Sequence, residues 1–494
     1  MSRETFKFGI EPIEVIDKLP TPEEVFGVSK LTTGNLITKV LGPAVIVLGV
    51  SIGSGEWLMG PSVAARYGLY LFWLVWVGAF LQTVWNCSFA RITIATGESA
   101  TRYLNRVPPG KWLWSPLTII LAWLGWAWPG WAATSATAVM AMILGKIPGA
   151  EHATTIRYIG IVLFLICLLI LAIGYKIERT LEIFNWVFGV GFTLFSMIFI
   201  ICPITVTWDA LREAAQGVVS VGYIPRGVDV LLLGGWWGYI GYATGLNILT
   251  SGYYRDKGYG VGSLVGYIPA IIGGRKIAVS PTGKMFRLTK ENLEIWRKWV
   301  KILKYDQYGI FFIGALFGMF LPALAVRSVT ELGTSLPTWG VAAHIAEQFA
   351  AKVGPWGFYY ISLVGIACLI PTQLGVIDVL IRTTTDTAWI HGGVRNFFKN
   401  DIRILYYTLN VIYILFASWA IWQTAPLILT LIAANMANVA AVFFVPAVLY
   451  LNTKLPKELK PGAWEYIALI IFWLLCIFFA TAMILGQFFG IKIL

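Results

Sequence analysis

Uncharged apolar runs recur along the chain at 69–90, 112–145, 158–175, 183–208, 230–254, 307–326, 353–377, 404–453 and 466–491. A helix needs about 20 such residues to cross the hydrocarbon of a bilayer. The run 404–453 is long enough for two helices, with Gln423-Thr424-Ala425-Pro426 as the turn. Residues 40–65 add a span holding one charge, Glu56. The pattern predicts eleven spans. Backbone groups in lipid must bond within their own segment, so helices fit runs of this length, whereas barrel strands are shorter and alternate. The fold class expected is an all-α polytopic membrane protein.

Polar positions set the orientation. With a cytoplasmic N-terminus, 29 of the 37 Lys and Arg residues fall on the inside, the largest group in 252–306. The C-terminus is then outside, and the chain is expected as a multi-pass protein of the cell membrane. Residues 258–274 are uncharged but short, glycine-rich and interrupted by Pro269. A twelfth span there would invert every later loop, so they read as cytoplasmic loop. Their GxGxG spacing follows no predicted strand, which argues against a nucleotide loop. Residues 288–304 set Trp296 and Trp299 among Lys and Arg, predicting an amphipathic helix on the inner membrane surface.

Composition agrees. The chain has 494 residues, 58% hydrophobic and 13% charged, against about 25% charged in soluble domains. Its net charge of +12 is carried by loop anchors, so nucleic acid is not an expected partner. Cys87, Cys167, Cys202, Cys368 and Cys476 show no CxxC spacing, which excludes a disulfide framework or zinc site. His152, His344 and His391 fall in predicted loops. No paired carboxylates or nucleophile–base set marks an enzyme. The first 38 residues lack the basic start and apolar core of a signal peptide and read as a cytoplasmic tail.

Two spans carry breaks. The first is interrupted by Gly53-Ser54-Gly55-Glu56, and the sixth holds Gly238, Gly241 and Gly245. Glycine-interrupted spans at matching places in two halves point to inverted repeats with a site at the bilayer midplane. The expected division is a first repeat at 39–204, a second at 205–450 containing the 253–306 loop, and an eleventh helix with the C-terminus at 451–494. Glu56 is the charge deep in the first span. An ionised Asp, Lys or Arg at a helix centre costs about 2.5–3.5 kcal/mol, so such a residue normally faces a cavity or partner. The oxygen donors near it are Ser54, Thr244, Asn247 and the freed backbone near Gly53 and Tyr242. Gln82, Asn435 and Asn438 stand as further candidates, although membrane amides often only join helices. Asp378 and Arg382 have the spacing of an i,i+4 ion pair at the membrane surface. The other reading of Asp378 is a vestibule carboxylate. Trp123, Trp126, Trp128 and Trp131 crowd the third span, as packing or as an aromatic wall for an organic cation.

The run GPAVIVLGVSIGSGEW at 42–57, the segment 67–99 ending ARITIATGES, and GYKIERTLEIFNW at 174–186 resemble the natural resistance-associated macrophage protein (Nramp) metal transporters. The resemblance covers most of 39–489. It implies a LeuT-type fold, with ten helices in two inverted five-helix repeats plus an eleventh. Where usual members carry Asp-Pro-Gly-Asn, this chain has Gly53, Ser54, Gly55 and Glu56. Where they carry Met-Pro-His in the sixth helix, it has Gly245, Leu246 and Asn247. Trp128-Pro129-Gly130 stands where the third helix should offer an acid for proton passage. Losing the thioether removes the soft ligand and leaves oxygen, which suits Mg²⁺ or Ca²⁺ better than Fe²⁺, although Mn²⁺ also accepts oxygen. The expectation is a secondary transporter, not an enzyme, of a divalent cation as substrate, with no resident cofactor and the bilayer as its other partner. A monomer is the simplest oligomeric state. The alternative is a LeuT-type transporter of a small organic solute or amine.

Overall fold

The computed structural model describes residues 4–53, 55–336, 341–423 and 426–491. Ser54 and the tip of the 423–426 turn lie outside the described residues. Eleven membrane-crossing elements are present among the described residues. They are α1 (Pro43–Tyr67), α2 (Phe72–Thr96), α3 (Lys111–Trp126 and Gly130–Leu144), α4 (Ala150–Ala172), α5 (Ile177–Thr205), α6 (Val230–Tyr239, then Thr244–Thr250 and Ser251–Lys257), α7 (Lys290–Arg327), α8 (Trp356–Trp389), α9 (Ile402–Ala420), α10 (Leu427–Lys454) and α11 (Ala463–Phe489). Eight of them are long and apolar enough to span by length and hydropathy alone. The other three are α2, which carries Gln82, Asn86 and Arg91, and the broken α3 and α6.

Each break has a local cause. In α3 it falls at Ala127-Trp128-Pro129, where proline lacks the N–H that would continue the helix. In α6, Gly241 sits at φ +80°, a conformation open to glycine at little cost. Thr244 takes φ +38°, where a side chain is strained, so the fold must hold it there. In α1 the residues after the glycines form a π-helical turn, Gly55–Met59, a form frequent at functional sites.

Burial sorts the helices into centre and periphery. The apolar window of α1 is wholly buried and that of α8 is 89% buried, whereas that of α5 is only 28% buried. An apolar helix left exposed is lipid-facing. Phe195 and Phe199 on α5 make that outer surface. The second half of α3 packs along α8, and α8 along α1. Three broken helices and α8 therefore meet in the middle of the bundle.

The end of the bundle that carries the N-terminal tail differs from the sequence reading. The N-terminal tail forms β1 (Thr5–Phe8) and β2 (Glu11–Ile16), antiparallel with Phe6 opposite Ile13. Strand β3 (Lys284–Phe286), from the α6–α7 connection, adds parallel to β2 with Val15 opposite Met285. Residues 290–304 form the predicted amphipathic helix, but its apolar face is not free for lipid. They extend α7, and their apolar face is covered by the chain itself. Trp299 Nε1 donates to the Pro20 carbonyl at 2.9 Å, and Trp296 meets the Phe286 ring at 5.8 Å. Gly260–Leu264 packs on the end of α2. Arg106 ties the tail down, donating to Glu98 at 2.7 Å and to the Glu11 carbonyl at 3.1 Å. Burial alone would raise the Glu98 carboxyl, but the charge and hydrogen bonds of Arg106 hold it below its ordinary value. His344, expected in a loop, lies in the helix Val341–Val353 that precedes α8.

Candidate functional site

Glu56 is fully buried at the start of the π-helical turn. The Ser51 hydroxyl donates to its Oε1 at 2.6 Å, and the Gly53 N–H approaches Oε2 at 3.4 Å. No Lys, Arg or His pairs with it among the described residues. Gly318 of α7 leaves the space against its Cγ. The carboxylate thus folds back over the break in its own helix. A second tie comes from α8, where the Thr372 hydroxyl donates to the Val50 carbonyl at 2.9 Å.

The break in α6 is fastened from several sides. Gln82 Nε2 donates to the Ile240 carbonyl, and Trp85 Nε1 to the Thr244 carbonyl at 3.1 Å. Asn247 Oδ1 accepts the Ala243 N–H at 2.8 Å. The Asn247 amide in turn donates to Gln82 at 2.9 Å and Asn86 at 3.0 Å. Asn86 donates to Gln307 on α7 at 2.9 Å. On the other side, Thr244 donates to Asn438 at 3.2 Å, and Asn438 donates to the Gly234 carbonyl at 2.8 Å. Asn435 donates to the Leu231 carbonyl at 3.0 Å. Gly245 lies so close to Ala440 and Ala441 of α10 that no side chain would fit.

A small cavity lies where the breaks meet. Val50, Ser51 and Gly55 of α1, Trp126 and Trp131 of α3, Tyr239 and Tyr242 of α6, and Thr372 and Val376 of α8 line it. Its volume is about 10 Å³ for the centre of a water-sized sphere, room for about one water. The rings are packed on one another. Trp126 stacks on Tyr239 with centroids 6.3 Å apart and planes 9° apart, and it approaches Tyr242 at 5.3 Å. Trp131 lies 5.8 Å from Trp126 and 6.0 Å from Tyr239. The Trp126 Nε1 and Tyr239 hydroxyl are buried without a hydrogen-bond partner among the described residues.

Of the sequence candidates, Tyr242 lines the cavity and Glu56 stands one hydroxyl away, through Ser51. Gly53 belongs to the same break, packed against Thr372. Thr244, Gly245, Asn247, Gln82, Asn435 and Asn438 hold the α6 break and its seam with α2 and α10. The structure does not place Glu56 and Asn247 in one hydrogen-bonded set. Ser51, Tyr239 and Thr372 were not among the candidates. Ser51 had only its position five residues before Glu56 as a signal, and Tyr239 and Thr372 had none beyond nearby helix-breaking residues.

Asp378 and Arg382 do form an ion pair, at 2.9 Å, but it is buried rather than at the membrane surface. Arg382 also reaches Asp256 from α6, and Tyr406 donates to Asp378 at 2.6 Å. Arg255 continues the network to Asp386 on α8 at 2.7 Å. This cluster seals α6 to α8.

No family model and no curated protein matches the chain. Solved structures do. A mutant of the Eremococcus coleocola manganese transporter is 16% identical, covers 97% of this chain and 91% of its own, and gives a TM-score of 0.61. The same transporter in complex with an aromatic bis-isothiourea substituted compound gives 17% identity, 95% and 92% coverage, and a TM-score of 0.57. A nucleobase-cation-symport-1 family transporter, closed with bromovinylhydantoin bound, is 12% identical over 93% of this chain and 96% of its own, with a TM-score of 0.53. Identities this low speak to the fold. The chain is an all-α polytopic membrane protein of LeuT-type fold, two inverted five-helix repeats followed by an eleventh helix.

Proposed function

We propose that this chain is a secondary transporter that moves a small cation by alternating access, with its site at the meeting point of the broken helices. One observation carries the reading. Glu56 is a buried carboxylate with no basic partner among the described residues, beside a helix break and one hydroxyl from a cavity. Intramembrane acids of this kind mark ion and substrate pathways. The basic inner loops support a cytoplasmic N-terminus and a cell-membrane location.

A divalent metal ion is the substrate that the Nramp resemblance supports, as does likeness in fold to a protein named as a manganese transporter. Mg²⁺ or Mn²⁺ would suit an oxygen-only donor set. A second reading, a small organic solute or amine, is favoured by the cavity wall, to which Trp126, Trp131, Tyr239 and Tyr242 contribute rings. Among the described residues no three His, Cys, Asp or Glu gather as a metal site. The test is uptake by the full chain in proteoliposomes, with Mn²⁺, Mg²⁺ and methylammonium offered under inward and outward gradients. Saturable uptake of at least one is expected. Silence toward all of them, in both directions, contradicts the proposal.

A further inference from the structure

The cavity between α1, α3, α6 and α8 has a chemistry of its own. Trp126, Trp131, Tyr239 and Tyr242 supply four ring systems around a space about one water wide. Aromatic faces attract cations, most strongly where water is excluded, and ammonium groups are recognised this way. Among the described residues the Tyr239 hydroxyl is buried and unpartnered, so it can accept from an N–H. The Trp126 Nε1 is also unpartnered among them, and an indole N–H only donates. It cannot ligate a metal ion, and its acceptor is not the ammonium itself but a water or the hydroxyl of a solute such as ethanolamine.

Charge points the same way. Ser51 lines the cavity and donates to Glu56, so among the described residues one carboxylate without a basic partner stands behind the wall, while Asp378, near Tyr242, is paired with Arg382. One negative charge balances one positive charge. A dehydrated divalent ion would keep a net charge in a low-dielectric site, which is costly without further ligands. The hydroxyls of Ser51, Tyr239, Tyr242 and Thr372 in the wall are neutral and add no second negative charge.

We infer that this cavity takes the ammonium head of a small organic cation, between the four rings and the Ser51–Glu56 pair. The inference rests on the secondary-transporter reading above and names its substrate class. The narrow space selects small heads, so methylammonium and ethanolamine should be preferred to tetramethylammonium.

The test uses radiolabelled methylammonium with the full chain in proteoliposomes. Saturable uptake is expected. Ethanolamine should compete, methanol, a neutral probe of similar size, should not, and tetramethylammonium should compete at least tenfold more weakly. Trp131→Leu and Tyr239→Phe should each weaken apparent affinity, by roughly tenfold for Trp131→Leu, where a ring is lost. Trp131→Phe keeps a ring and should recover most of that loss, with melting temperatures showing that each variant is folded. Equal effects of Trp131→Leu and Trp131→Phe overturn the aromatic recognition. Competition by methanol as strong as by ethanolamine overturns the role of charge. Mn²⁺ uptake without methylammonium uptake overturns this inference and leaves the transporter reading standing. No uptake of methylammonium, Mn²⁺ or Mg²⁺ removes both.

Discussion

At the break of α6, the freed Ile240 carbonyl, Ala243 N–H and Thr244 carbonyl each meet a side chain, from Gln82, Asn247 and Trp85. Two of those three side chains come from α2, so the break is pinned to its neighbour. At the break of α1, the Glu56 carboxylate bonds, among the described residues, only to Ser51 and Gly53, within its own helix. One tie from outside, Thr372 to the Val50 carbonyl, crosses to another helix there. The two breaks meet the same backbone problem, that polar groups freed inside a membrane need partners. One meets it with interhelical amides and the other with a local acid. The difference assigns different work to each. On the proposed transporter reading, the α6 break is a fixed wall, whereas Glu56 can exchange its local bonds for a substrate without unfastening two helices. A ligand shifts a conformational equilibrium only through contacts that differ between states, and α1 is where such contacts can change.

Substitutions can break this comparison. The largest stability loss is expected for Asn247→Ala, which leaves Ala243 N–H, Gln82 Oε1 and Asn86 Oδ1 short of partners. The expected cost is about 3 kcal/mol, read from thermal unfolding in detergent. A loss below about 1 kcal/mol means that the α6 break is not held as described. Gln82→Leu removes two links of the same set and should cost about 2 kcal/mol by the same measurement. Thr372→Val removes one interhelical bond, for which about 0.6–1 kcal/mol is expected. If Thr372→Val proves as damaging as Asn247→Ala, the two breaks are equally pinned and the contrast fails.

Much of this was legible in the sequence, for reasons particular residues show. Span number and helix breaks follow from hydropathy and from glycines at two places, and Glu56 was conspicuous because charge is rare at that depth. The i,i+4 spacing of Asp378 and Arg382 was readable. Their burial was not, because Asp256 reaches them from a distant segment. The basic stretch 288–304 was misplaced because an amphipathic helix has one pattern whether its apolar face meets lipid or the chain's own tail. Here Pro20 and Phe286 supply the cover. The cavity wall joins four helices, so no local pattern could assemble Ser51, Tyr239 and Thr372 with the tryptophans. The third break, at Pro129, was not read from the sequence, which placed breaks in the first and sixth spans only, and it emerged with Trp126 and Trp131 on either side of it.

The central claim is that Glu56 serves a visiting cation rather than the fold. Uptake by wild type beside Glu56→Gln, with melting temperatures taken on the same preparations, tests it most directly. Gln keeps an oxygen to accept from Ser51, so a stability change under about 1 kcal/mol is expected, with cation uptake reduced at least tenfold. Uptake equal to wild type, or a collapse in stability that accounts for the lost uptake, would contradict the account.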